Sequence, residues 1–212
     1  MPRKKFYPTS EHPYHVTART SNSEWFGAPL DVVWGHFTNY LHFIWRAYDV
    51  RIHSFVLMNN HFHMLISTPE ANLDVAMNYL LREVSKRLGE ETDRENQIFG
   101  GPYHWSLIKN SIYYRHAYKY IYRNPVRAGL CKKVEDYPYS SLRGLLGLDY
   151  LYIPAYDTLD LIQNPATQLR WLNEEFDDES REAIRLALKR KEFGFSRDPG
   201  SANSHYLENH IV

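Results

Sequence analysis

Ile52-His53-Ser54-Phe55-Val56-Leu57-Met58, then Asn59-Asn60, then His61-Phe62-His63-Met64-Leu65-Ile66-Ser67 reads as two strands joined by a tight turn. Aromatic and β-branched residues suit a pleated surface, and asparagine tolerates the left-handed backbone that a short hairpin needs. Working outward, Tyr14–Ser21 is β-prone and bounded by Pro13 and Asn22. Between them lies a helical stretch opened by Pro29 and running to Tyr48, with Leu30, Val33, Trp34, Phe37, Leu41 and Ile44 at three-to-four spacing. Beyond the hairpin, Asn72–Leu88 reads as a helix with Gly89 as its stop. Glu90–Gly101 follows as a loop, Tyr103–Ile108 as a strand, and Ser111–Arg123 as a helix ended by Pro125. The order β-α-β-β-α-β-α predicts an α+β fold. It is a ferredoxin-like, split βαβ, mostly antiparallel sheet flanked by helices.

After Tyr137-Pro138-Tyr139-Ser140-Ser141 the character changes. Pro154 to Pro165 reads as a connector with a short helix. Asn173–Lys191 reads as one charged amphipathic helix, with Phe176, Ile184 and Leu188 on its apolar side. Residues 194–212 read as weakly ordered. The expected organisation is therefore a domain over 1–150 and an acidic, partly helical C-terminal extension over 151–212.

Composition narrows the function classes. In 212 residues there is one cysteine, Cys131, which excludes an internal disulfide framework and a Cys-rich zinc module. No run of 18 apolar residues exists, so no membrane partner is expected. The start, Met1-Pro2-Arg3-Lys4-Lys5, is basic but lacks the apolar stretch of a secretory signal, and the expectation is cytoplasmic, nucleoid-associated residence.

The zero net charge hides an asymmetry: residues 1–150 carry 18 Lys+Arg against 14 Asp+Glu, and residues 151–212 carry 7 against 11. Lys109, Arg115, Lys119, Arg123, Arg127, Lys132 and Lys133 fall in a stretch without a single acid, interleaved with Tyr113, Tyr114, Tyr118, Tyr120 and Tyr122. Cations for phosphates and aromatic faces for bases are what a single-stranded nucleic-acid surface needs. A solvated helix with its counter-charges elsewhere in the fold accounts for the stretch equally well. The opposite charges of the two parts suggest that the extension packs on the core or shields this surface until DNA displaces it.

Two constellations could carry chemistry. His61 and His63 alternate along a strand and so share one face, with Phe62, Met64 and Ile66 on the other. By itself the pair is weak, since about 0.6 His-x-His pairs are expected by chance at this histidine content. Tyr120 and Asn124, four apart on a helix, are also neighbours, so a phenol lies beside an amide oxygen. Packing of the tyrosines against the sheet, with Asn124 capping the helix, is the bland alternative, and for Tyr118 and Tyr122 it is preferred.

Taken together, Val56-Leu57-Met58-Asn59-Asn60-His61-Phe62-His63-Met64-Leu65-Ile66 and Tyr120-Ile121-Tyr122-Arg123-Asn124-Pro125-Val126-Arg127-Ala128-Gly129-Leu130 closely resemble the HUH single-tyrosine (insertion-sequence-200-like) transposases. Within that superfamily the chain is most similar to the REP-associated tyrosine transposases. The resemblance covers roughly residues 10–145. It implies that His61 and His63 ligate Mg²⁺ or Mn²⁺, with Asn124 as third ligand, and that Tyr120 is the nucleophile. It further implies cleavage of single-stranded DNA beside a hairpin, leaving a 5′-phosphotyrosine and a free 3′-hydroxyl. Exchanging one phosphodiester for another needs no nucleotide cofactor, and no Walker-type glycine loop is present. A homodimer and a lone chain are both open.

Two rival functions stay in play. One is a domesticated hairpin-DNA-binding protein without cleavage activity. The other is a metal-dependent nuclease that uses water and leaves no protein–DNA adduct.

Overall fold

Strand β1 (Tyr14–Arg19) lies at the middle of a four-stranded sheet with β2 (Arg51–Leu57), β3 (His61–Ser67) and β4 (His104–Leu107). The order is β2-β3-β1-β4 and every neighbouring pair is antiparallel. Helix α1 (Leu30–Tyr48) links β1 to β2, and α2 (Leu73–Thr92) links β3 to β4. That is the split βαβ arrangement expected. The computed structural model describes residues 8–92, 97–196 and 205–212.

The sheet separates two cores. Phe62, Met64 and Ile66 of β3, with Phe55 and Leu57 of β2 and Val16 of β1, pack against α1 and α2 through Phe37, Leu41, Met77 and Leu80. On the other face, Val56 and Leu65 meet α3 (Ser111–Arg127) through Tyr118, Ile121 and Tyr122. A register shift between Ile52 and Ser54 inserts one extra residue in β2, so Ile52 keeps the first core while Ser54 pairs with Leu65 on the second face.

Two helices outlast their expected stops. α2 runs through Gly89 to Thr92, because a glycine only weakens a helix by about 1 kcal/mol and Leu80, Val84 and Leu88 already hold it to the core. α3 continues past Pro125 to Arg127. Proline removes an amide donor, and the Asn124 side chain supplies a substitute: its Nδ2 donates to Tyr120 O at 2.8 Å and to Ile121 O at 3.4 Å.

The extension departs further from expectation. No helix forms between Pro154 and Pro165; a short helix, α4, covers Ser141–Leu145 instead. The helix expected over Asn173–Lys191 forms over only part of that span, and a second helix that was not expected precedes it. α5 (Pro165–Asn173) has Pro165 in its first turn and Asn164 as cap, and α6 (Asp178–Ala187) is capped by Asp177, whose Oδ1 accepts from Ser180 N at 2.7 Å. Residues 205–212 are anchored at two points: Leu207 is fully buried, and Trp171 Nε1 donates to Val212 O at 3.1 Å. The part of that weakly ordered expectation covering 197–204 lies outside the described residues.

Leu172, Phe176, Ile184 and Leu188 complete the core around α3, so the extension covers an apolar face of that helix. It also covers both sheet edges. Tyr156 N donates to Ile52 O on β2 at 2.8 Å, and Phe193 N donates to Leu107 O on β4 at 2.9 Å. Unpaired strand edges invite aggregation, and here both are occupied.

Candidate active site

Strand register builds one wall of a cleft. His63 pairs with Thr17 and His61 with Arg19, while Thr17 also pairs with His104 of β4. Paired residues share a face, so His15, Thr17, Arg19, His61, His63 and His104 all look away from the first core. Helix α3 supplies the opposite wall with Tyr120, Asn124 and Arg127 around a cleft of about 860 Å³. Arg185 and Lys189 close a third side.

The histidines are held neutral. Burial lowers His63 well below the usual imidazole range, with His15, His61 and Arg19 adding to the effect. Burial also brings His61 down to about 4, with Arg19 beside it, and His15 down to about 3, with His104 nearby. A neutral imidazole is the form that binds a metal. His61 Nδ1 donates to Asn60 Oδ1 at 2.7 Å, which leaves Nε2 with its lone pair. His63 Nδ1 lies 3.0 Å from His15 Nε2, so its Nε2 too can face outward as an acceptor. Because the Asn124 amide nitrogen is committed to helix carbonyls, the oxygen is the atom it has left to offer.

Among the described residues, no group of three or more His, Cys, Asp and Glu side chains is disposed to hold a metal ion. Two imidazoles with an amide oxygen form a different set, and one that fits a divalent cation needing open positions for phosphate and water.

Tyr120 stands edge-on to His63, ring centroids 5.9 Å apart. Burial raises its pKa, and the nearby charges of Arg127 and Arg185 oppose that rise. Its neighbours on α3 point elsewhere. Tyr118 and Tyr122 are fully buried, meet edge to face at 4.8 Å, and Tyr122 Oη bonds Ser141 Oγ at 2.9 Å. The packing role preferred for them holds.

The expected basic strip does not survive as a surface. Lys119 is fully buried, its Nζ over the rings of Phe176 (4.8 Å) and Trp171 (5.4 Å). Arg123 is 8% exposed and donates to Asn173 O at 2.6 Å. Both are withdrawn from the surface for one reason: the extension packs on the flank of α3 that bears them. Lys109 pairs with Glu192 at 2.8 Å. Arg115 is half-buried and Lys132 and Lys133 are exposed, but of the seven cations only Arg127 lines the cleft.

Five cleft residues escaped the sequence reading: His15, Arg19, His104, Arg185 and Lys189. Alternation in His15-Val16-Thr17-Ala18-Arg19 was a usable signal for the first two, but only register shows that they face His61 and His63.

A sequence model of the transposase IS200-like family matches residues 9–124, more than half of the chain. The chain belongs to the IS200-like transposase family. It is 32% identical over 111 residues to the REP-associated tyrosine transposase of Escherichia coli (strain K12), an alignment spanning 50% of this chain and 65% of that relative, just short of two thirds. The fold is similar to a REP-associated tyrosine transposase solved bound to a REP hairpin, with a TM-score of 0.57 and 22% identity over 74% of this chain and 94% of the other. The family match ends at Asn124 and so takes in both histidines and Tyr120, while Arg127, Arg185 and Lys189 lie beyond it. As an IS200-like transposase the chain has no helix, among its described residues, long and apolar enough to cross a membrane.

Proposed function

We propose that this protein is a metal-dependent single-stranded DNA endonuclease and strand transferase that acts beside hairpin DNA through a 5′-phosphotyrosine. The observation that carries the reading is the meeting of Tyr120 with His63 in a cleft that also holds His61, Asn124 and Arg127. The E. coli relative is named a REP-associated tyrosine transposase and the structural neighbour was solved on a REP hairpin, which support palindromic DNA as the substrate class.

The phenol of Tyr120 releases its proton to water as its oxygen attacks the scissile phosphorus, the P–O3′ bond breaks, and the leaving 3′-oxygen takes up a proton from water. An ordinary phenol is almost wholly protonated at pH 7, and burial makes ionisation harder still. Arg127 and Arg185 favour the phenolate and are placed to bind phosphate oxygens. His61, His63 and Asn124 would hold Mg²⁺ or Mn²⁺, which supplies Lewis acidity at the scissile phosphate when bound. Neutral histidines keep that position open to a cation by adding no charge of their own. The chain would work on DNA in the cytoplasm.

The test is trapping. A hairpin with a single-stranded flank, labelled on its 3′ end, is incubated with the protein and Mg²⁺ or Mn²⁺ and run under denaturing conditions. Label migrating with protein supports the reading. Cleavage without an adduct would make the chain a water-using nuclease, and tight binding without cleavage would make it a hairpin-binding protein.

A further inference from the structure

Arg181, Arg185 and Lys189 recur every four residues, so they occupy one flank of α6 and its C-terminal turn. Ile184, Ala187 and Leu188 occupy the neighbouring flank, buried against α3. The acids of α6 itself, Asp178, Glu179 and Glu182, are exposed. A segment that is acidic as a whole thus turns a basic edge toward the cleft, where Arg185 and Lys189 line the cavity that holds Tyr120. Arg181 lines the adjoining groove with Tyr120 and Arg127.

This edge is anchored. Leu107 N donates to Lys191 O at 2.9 Å and Phe193 N returns to Leu107 O at 2.9 Å, so the chain after α6 adds to the edge of β4. His104 Nε2 donates to Lys189 O at 3.0 Å. With Ile184, Leu188 and Phe193 buried as well, α6 is built into the fold rather than laid over it. The two arginines are parked on exposed acids of their own helix, Arg181 on Asp178 and Arg185 on Glu182. Such solvent-exposed pairs are worth only about 0–1 kcal/mol, so a phosphate can displace the carboxylate and take a bidentate bond.

We propose that α6 is a wall of the active site, and that Arg185 and Lys189, with Arg181 one turn earlier, grip the phosphates of the single strand flanking the scissile position. The inference rests on the function proposed above and deepens it. It assigns substrate contacts to a segment beyond the family match, and it replaces a shield that DNA must push aside with a surface that DNA uses.

The experiment uses the full chain, because α5 and α6 complete the core around α3. Arg185→Gln/Lys189→Gln is compared with the parent and with Lys86→Gln, an exposed lysine on α2 remote from the cleft. Each binds a labelled hairpin with single-stranded flanks and the same hairpin without them, from 50 to 200 mM salt. The double variant should lose about 10–100-fold affinity for the flanked hairpin at low salt, and its salt slope should fall by about 1–2. The bare hairpin should bind the double variant within about twofold of the parent, and Lys86→Gln should behave as the parent throughout. Lys189→Gln alone, at an exposed site, should still lower the slope by about 0.7 if the double variant folds poorly. Unchanged or raised affinity for the flanked hairpin overturns the inference, a rise being the mark of a shield. A parent that binds no hairpin overturns the proposed function itself.

Discussion

His15 Nε2 lies 3.0 Å from His63 Nδ1, two buried imidazoles on adjacent strands, stacked with their centroids 5.2 Å apart. One proton serves this contact. With that proton on His63, its Nε2 is an acceptor directed to the cleft, so His15 is a positioning residue for a proposed ligand. His15→Ala should raise the Mg²⁺ or Mn²⁺ concentration needed for half-maximal cleavage by about 10–100-fold. Excess metal should restore the rate, and hairpin affinity should stay near the parent value. A metal titration with an unmoved midpoint would remove the assignment.

Tyr120→Phe deletes one oxygen from a half-buried ring. Covalent label on a 3′-labelled hairpin should vanish while DNA binding stays intact. Tyr118→Phe and Tyr122→Phe should still trap label. Tyr122→Phe should in addition lose about 1 kcal/mol in urea unfolding, the worth of its bond to Ser141. Trapping that persists in Tyr120→Phe would move the nucleophile elsewhere.

His61→Ala or His63→Ala should abolish cleavage, and a chelator should do the same to the parent until Mg²⁺ or Mn²⁺ is returned. Asn124 separates two roles. Asn124→Asp keeps an oxygen donor but loses the amide that bonds Tyr120 O and the Ile121 carbonyl freed by Pro125, so it should cleave measurably while unfolding about 1 kcal/mol more easily. Asn124→Ala should lose both. Full cleavage by the parent in excess chelator would discard the metal.

Lys119 is buried with no hydrogen-bond partner for Nζ, and burial brings its pKa down to about 8 despite Glu174 nearby. Because the folded value lies below the unfolded one, its penalty is fully present below pH 8 and is relieved as pH rises toward 10.5. Lys119→Met should therefore stabilise the protein by roughly 1–3 kcal/mol at pH 7, with the gain shrinking from pH 8 to 10. Urea midpoints across that range decide it. A variant less stable at pH 7 would show that the charge is held by the Trp171 and Phe176 rings.

The hairpin, the two helices that flank it and the split βαβ order were legible along the chain, because strand alternation and helical spacing are local. So were His61, His63, Tyr120 and Asn124 as pairs, each set by the repeat of one element. Asp177 before Ser180 and Pro165 after Asn164 were local signals too, and they mark the starts of α6 and of the unexpected α5. Which pairs would meet was not local. The contact between His63 and Tyr120 depends on how α3 lies across the sheet, and that of His15 with His63 on the register of strands far apart in sequence. Charge misled for the same reason. An acid-free run predicts a surface only if nothing packs on it, yet apolar residues of α5 and α6 bury Lys119 and restrain Arg123, while Arg185 and Lys189 arrive at the cleft from a segment whose net charge is negative. The order of residues determined which side chains share a strand or helix face; only burial of apolar area between distant elements decided which faces meet solvent, and so which cations can reach DNA.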